Sequence, residues 1–155
     1  MLLERDDALS ALCSVLHRCE YICGQLAVID GEAGIGKSSL LQALASEVVD
    51  GRRVVWGQCD DLFTPRQLGP LYDMAAALDA SLPAALEDGG PQSGLFPKVL
   101  AAINELPPGS VLVFEDVHWA DHATIDLLTF IARRLLPLRV LIVLTYRPDE
   151  VHQEH

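Results

Sequence analysis

Short apolar runs alternate along this chain with longer stretches in which apolar residues recur every three or four positions. A short apolar run is typical of a buried strand, and these runs occupy residues 25–30, 53–57, 110–114 and 140–145. Helical spacing predicts helices over residues 6–18, 40–48, 68–78, 95–106 and 125–135. Strands that alternate with helices indicate an α/β domain with a parallel sheet. Residues 81–94 are rich in Pro, Gly, Ser and Asp, and we expect a mobile surface loop there.

The composition supports one globular domain. Of the 155 residues, 50% are hydrophobic and 21% are charged, and no apolar run reaches the length of roughly 18 residues that a membrane helix needs. The first residues lack the basic and apolar regions of a signal peptide, and the four cysteines form no C-x-x-C pair. We therefore expect a cytoplasmic protein with reduced thiols, organised as a core over residues 1–147 and a polar tail over 148–155.

The strongest motif lies between the first predicted strand and the helix that follows it. Residues 31–38 fit the Walker A pattern G-x-x-x-x-G-K-[ST]. Its glycines let backbone N–H groups surround a phosphate, Lys37 supplies a positive charge, and the Ser38 hydroxyl suits Mg²⁺. The alternative is a glycine-rich turn with an incidental lysine, but the flanking strand and helix argue against it. The predicted nucleotide-binding residues are Gly31, Glu32, Ala33, Gly34, Ile35, Gly36, Lys37, Ser38 and Ser39.

Two further strand ends carry candidate chemistry. Residues 111–116 are an apolar strand that ends in Glu115 and Asp116, as in a Walker B motif. In such a motif one acid holds Mg²⁺ and the other orients or deprotonates the attacking water, and the spacing leaves open which acid does which. Arg147 follows the last strand, where ligands of parallel sheets bind, and could contact a γ-phosphate. A solvated surface arginine is the alternative. Between these strand ends, Asp121 is expected to cap a helix, while His118 and Trp119 fix the loop.

These motifs resemble a known family. The segments GEAGIGKSSLL (31–41), EDVHWAD (115–121) and LTYRPDEV (144–151) look like an AAA-type ATPase domain. More narrowly, they resemble the signal-transduction (STAND) ATPases of large LuxR-type transcriptional regulators. The resemblance implies a three-layer α/β/α P-loop fold with sheet order 5-1-4-3-2, ATP and Mg²⁺ as cofactors, and transcription control through a helix-turn-helix outside this segment. It places Glu115 at the metal position, Asp116 at the water-activating position and Arg147 at the sensor-1 position.

The chain departs from the family pattern in two ways. The order Glu115–Asp116 is reversed relative to many members, and the shorter Asp116 is set back by about one methylene, so we expect slow hydrolysis. The fifth strand and the helical lid are expected to be missing, which would leave residues 25–30 as an apolar edge strand inclined to self-association.

Three other functions remain as alternatives. A non-catalytic fragment or interaction module would follow from truncation. A small-molecule kinase would need a basic lid, and residues 81–94 contain no Arg or Lys. Direct DNA binding is disfavoured because 22 acids outnumber 11 bases, giving a net charge of −11.

Overall fold

A computed structural model of the chain describes residues 2–31, 36–61 and 66–148. The polar tail from residue 149 onward and the loop positions Glu32, Ala33, Gly34 and Ile35 lie outside these ranges. The described elements are α1 (Leu2–Tyr21), β1 (Gln25–Asp30), α2 (Lys37–Ser46), β2 (Val54–Gln58), α3 (Gly69–Leu78), α4 (Leu82–Glu87), α5 (Gln92–Asn104), β3 (Val111–Glu115), α6 (His122–Ala132) and β4 (Leu141–Tyr146). Single 3₁₀ turns precede α6 (Val117–Trp119) and β4 (Leu136–Leu138).

The four strands form one parallel sheet in the order β1-β4-β3-β2. Within the described ranges β1 pairs with β4 alone, so it is an edge strand. The expected α/β fold is confirmed, and so is the relative order of the first four strands. Because all strands run in the same direction, their carboxyl ends meet at one edge of the sheet.

Helices cover both faces of the sheet and create two separate cores. On one face, α1 and α2 pack against the strands through residues that include Leu16, Leu41, Leu44, Val113 and Val143. On the other face, α3 to α6 bury a larger cluster that includes Leu71, Met74, Ile103, Phe114, Leu127 and Ile131. Strand β3 has buried residues on both faces, which is why its sequence is continuously apolar rather than alternating. No helix in the described part of the chain is long and apolar enough to span a membrane.

The expected mobile loop over residues 81–94 is wrong. Most of this segment belongs to α4 and to the start of α5. Leu82 and Leu86, four residues apart on α4, are both buried in the larger core, and Pro83 lies in its first turn. A helix of six residues is too short to show a periodic pattern, but two buried leucines are enough to pack it against the core.

The turn between α1 and β1 packs its backbone directly against the backbone of the segment that precedes β4. The N–H group of Gly24 donates to the carbonyl of Leu136 at 2.9 Å. A Cβ atom at Gly24 would lie 2.2 Å from the carbonyl oxygen of Leu135. Glycine is therefore required here because two backbone segments touch, not because of an unusual dihedral angle.

Candidate functional site

The candidate site lies at the carboxyl edge of the sheet. The strand registers place Asp30 beside Tyr146 and Gln58 beside Glu115, so the four strand ends form a row. Only β4 separates β1 from β3. Two strand spacings are about 10 Å. The backbones at the end of β1 and at Glu115 are therefore about 10 Å apart, with the end of β4 between them.

The Walker A lysine begins helix α2. Gly36, directly before it, has φ 93° and ψ 17°, a left-handed conformation that favours glycine. The Nζ atom of Lys37 donates a 2.5 Å hydrogen bond to the carbonyl oxygen of Gly31, so the ammonium group lies next to the residue that follows β1. The amino end of a helix also carries partial positive charge. Lys37 and the helix terminus therefore present positive charge to the same space.

Glu115 and helix α2 share one face of the sheet. Along β3, Val111 and Val113 belong to the core beneath α2, whereas Leu112 and Phe114 belong to the opposite core. By the strand alternation, Glu115 projects toward the α2 face. Burial first, and the neighbouring Asp116 carboxylate second, raise the pKa of Glu115 above its ordinary value. Such a carboxylate favours a nearby cation, which would stabilise its charged form.

Asp116 leaves the strand in a left-handed conformation, with φ 58° and ψ 50°. Its backbone N–H donates to Oγ1 of Thr145 at 3.0 Å, and its Oδ2 accepts a 2.6 Å hydrogen bond from Nε2 of Gln58. Asp116 is therefore held from both neighbouring strands, from β4 through its backbone and from β2 through its side chain.

The loop after Asp116 is tied to the end of β4. The backbone N–H of Arg147 donates to Nδ1 of His118 at 3.2 Å, and the His118 ring packs against Trp119 at a centroid distance of 5.1 Å. The interpretation of His118 as a loop-fixing residue fits this contact. The contact also joins the Arg147 backbone to the loop that follows Asp116.

Asp121 caps α6, as its position predicted. Its carboxylate accepts from the backbone N–H of Thr124 at 3.3 Å and from the Thr124 hydroxyl. The same carboxylate accepts from the N–H of Leu68 at 3.2 Å. Asp121 therefore joins the start of α6 to the start of α3 and is a structural residue.

The described oxygen donors suit an Mg²⁺ ion that is shared with a nucleotide. No group of three His, Cys, Asp or Glu side chains is arranged to hold a metal among the residues that the structure describes. Mg²⁺ commonly takes one or two protein oxygens and completes its shell with phosphates and water. Ser38, exposed at the second position of α2, and Glu115, on the same sheet face, are the residues that would supply such oxygens. A polar groove of about 450 Å³ runs along the side of α2 that faces away from its buried leucines, lined by Ser38, Ser39, Gln42, Ala43 and Ser46.

Two residues in contact with the site were missed by sequence reasoning. Gln58 and Thr145 touch Asp116; Gln58 lies outside every predicted motif, and Thr145 lies in the sensor-1-like segment 145–147, where only Arg147 was given a role. A usable signal exists: each is a polar residue at the carboxyl end of an otherwise apolar strand, the position that also drew attention to Glu115.

A parallel α/β sheet, a lysine at the helix that follows β1, and acids at the end of β3 define a P-loop nucleotide-binding protein. The chain belongs to the AAA ATPase domain family, whose profile matches residues 1–143. A solved structure titled as a DNA replication initiation factor shares the fold, with a TM-score of 0.54 and 19% sequence identity. The match covers 92% of this chain and 37% of that one, so this chain spans little more than a third of its length. No curated protein matches the chain.

Proposed function

We propose that the chain is an ATP-binding, Mg²⁺-dependent switch domain that hydrolyses ATP slowly and belongs to a LuxR-type signal-transduction ATPase. The observation that carries the proposal is the shared strand edge. It gathers Lys37 after β1, Glu115 at the end of β3 and Arg147 after β4. The motif segments around these three residues support the narrower assignment to a transcriptional regulator. The proposed ATPase core covers residues 1–147.

Each residue has one task in this proposal. Lys37 and the amino end of α2 bind the phosphates, while Ser38 and Glu115 hold the metal, which neutralises phosphate charge when bound. Glu115 is assigned to the metal because it faces α2. Oδ2 of Asp116 instead accepts a hydrogen bond from Gln58 on β2, the strand that flanks β3 on the side away from β4 and β1. Asp116 orients the water whose oxygen bonds to the γ-phosphorus as the bond to ADP breaks.

Arg147 makes the site a switch. A γ-phosphate contact at Arg147 would be felt in the Asp116–Trp119 loop, because the Arg147 backbone is bonded to His118. ATP and ADP then differ in how they hold this loop, and a ligand shifts an equilibrium only through such a difference in affinity.

The test is the ratio of ATP to ADP affinity in wild type and in Arg147→Ala, with phosphate release measured in parallel. We expect wild type to prefer ATP and Arg147→Ala to lose that preference. Arg133→Ala, which truncates an exposed arginine directly after α6, is the control and should leave the preference intact. Equal affinities for ATP and ADP in wild type would contradict the switch.

The exposed edge of β1 favours a second candidate, a non-catalytic interaction module. Leu26 and Val28 on β1 are 44% and 53% exposed, and β1 carries no charge before Asp30. This candidate predicts association that depends on concentration and on β1, together with nucleotide binding that Lys37→Ala does not change.

A further inference from the structure

Strands β3 and β4 stop pairing before the end of β4, and at this fork in the sheet the backbone N–H of Asp116 donates a hydrogen bond to a side chain. The register of β3 with β4 ends at Phe114 and Leu144, whereas β4 continues along β1 as far as Tyr146. At this fork the Asp116 N–H donates to the Thr145 hydroxyl rather than to a backbone carbonyl. One hydroxyl therefore fixes the point at which the chain leaves β3.

Few other groups could accept this hydrogen bond if the Thr145 hydroxyl were removed. Thr145 is 2% exposed, so water has little access to replace the lost acceptor. Its β-branched side chain is also stiff about χ1, which fixes the position of Oγ1. A left-handed conformation is uncommon for a residue other than glycine, and although aspartate adopts it more readily than most, its surroundings must hold it there.

We propose that Thr145 is a positioning residue for ATP hydrolysis, which holds Asp116 in its left-handed conformation and thereby sets the direction of the Asp116 carboxylate. This inference rests on the proposed function, in which Asp116 orients the attacking water. Thr145 acts through the Asp116 backbone. Its effect therefore falls on the hydrolytic step and not on nucleotide affinity.

The first test compares Thr145→Val with Thr145→Ser in the full chain. Valine has the same shape but lacks the acceptor, while serine retains it. With protein in excess over Mg²⁺–ATP, we expect Thr145→Val to slow the single-turnover rate by ~10- to 100-fold, the scale of a misplaced catalytic group. ATP affinity should stay unchanged, and Thr145→Ser should recover most of the rate. Equal losses of rate in both variants would overturn the proposal.

A double-variant comparison separates positioning from general damage. In an Asp116→Asn background, Thr145→Val should cause no further loss of rate, because the residue through which it acts has already been disabled. A further loss as large as that in the wild-type background would show that Thr145 acts independently of Asp116, and would overturn the inference.

Amide exchange of Asp116, measured by NMR, tests the hold without any need for hydrolysis. We expect the amide to be protected in wild type and in Thr145→Ser, and to exchange faster in Thr145→Val. A wild type that hydrolyses no ATP would overturn the proposed function and the positioning role with it, whatever the exchange shows. If wild type hydrolyses ATP but its Asp116 amide exchanges without protection, the positioning role of Thr145 is overturned while the proposed function stands.

Discussion

The side-chain amide of Gln58 donates a 2.6 Å hydrogen bond to Oδ2 of Asp116, which joins the last residue of β2 to the residue that follows β3. The same nitrogen donates to the carbonyl of Cys59 at 2.9 Å, and the Gln58 backbone N–H donates to Asp73 at 2.9 Å. Gln58 is thus fixed at both ends, so it restrains the Asp116 carboxylate.

Removal of this restraint should slow hydrolysis while ATP still binds. A hydrogen bond to a charged group contributes about 1.5–3 kcal/mol, so we expect Gln58→Ala to lower the hydrolysis rate by at least ~10-fold. Gln67→Ala, which truncates an exposed glutamine, is the control. The measurement is phosphate release at saturating Mg²⁺–ATP. A rate that matches wild type would show that the Gln58 contact has no part in hydrolysis.

The periodicity of the sequence predicted which segments along the chain form strands and large helices, because each of them buries apolar residues at a regular spacing, whereas the order of the strands in the sheet came from the family resemblance. The boundaries of β1 were predicted to the residue, whereas α1 runs from Leu2 to Tyr21 against a prediction of 6–18. A pattern of buried positions marks only the part of a helix that faces the core, and polar ends such as Glu20 continue the helix without adding to that pattern.

The fine structure of the site could not be predicted in the same way. Gln58 and Asp116 are 58 residues apart, and they meet because β2 and β3 pair in a register that only the assembled sheet determines. The N–H of Asp116 likewise meets Thr145, which comes from another strand, 29 residues away in sequence. The spacing of a motif indicates candidate ligand-binding residues, but it does not indicate which residues of different strands contact each other.

The packing of the α1–β1 turn makes Gly24 a sensitive position. A methyl group there would collide with the Leu135 carbonyl, so we expect Gly24→Ala to lower the free energy of unfolding by roughly 2–3 kcal/mol. Gly90→Ala, at a glycine with open space around it, is the matched control and should change little. Urea denaturation followed by circular dichroism measures both. Equal stability of the two variants would mean that the backbone contact is absent in solution.

Two cysteine thiols should not react with alkylating agents in the folded protein. Burial raises the pKa of the Cys59 thiol to about 12, with nearby acids such as Asp121 contributing, and burial raises that of Cys19 to about 11. At pH 8 both stay neutral, so iodoacetamide should modify them only after denaturation, while the partly exposed Cys23 serves as the internal reference. Mass spectrometry of the digested protein measures this. Prompt native labelling of Cys59 would refute its burial.

The same shifts predict a loss of stability in alkali. The ordinary thiol pKa is 9.0, so the unfolded chain releases its thiol protons at a lower pH than the folded chain does. Above pH 9 ionisation of these thiols therefore stabilises the unfolded state relative to the folded state. The free energy of unfolding falls as the pH rises toward the thiol pKa values of the folded protein. Below pH 9 this contribution is fully present.

A lysine on the exposed edge of the sheet should suppress self-association. Val28 lies on β1, and a charge there hinders pairing with a further strand. We expect Val28→Lys to reduce association measured by sedimentation velocity, whereas Val49→Lys, at a valine exposed to nearly the same extent but outside the strands, should not. If wild type associates and both lysine variants behave alike, the association does not pass through β1.

The central claim, that the loop at Lys37 binds ATP, is tested most directly by calorimetric titration of Mg²⁺–ATP into monodisperse wild type and Lys37→Ala. The chain has two lysines, so Lys98→Ala on the exposed side of α5 is the matched control for loss of one positive charge. We predict that wild type and Lys98→Ala bind ATP, and that Lys37→Ala binds at least ~100-fold more weakly because charge-assisted contacts to phosphate are lost. Unchanged affinity in Lys37→Ala, or no binding to folded wild type, would contradict the account.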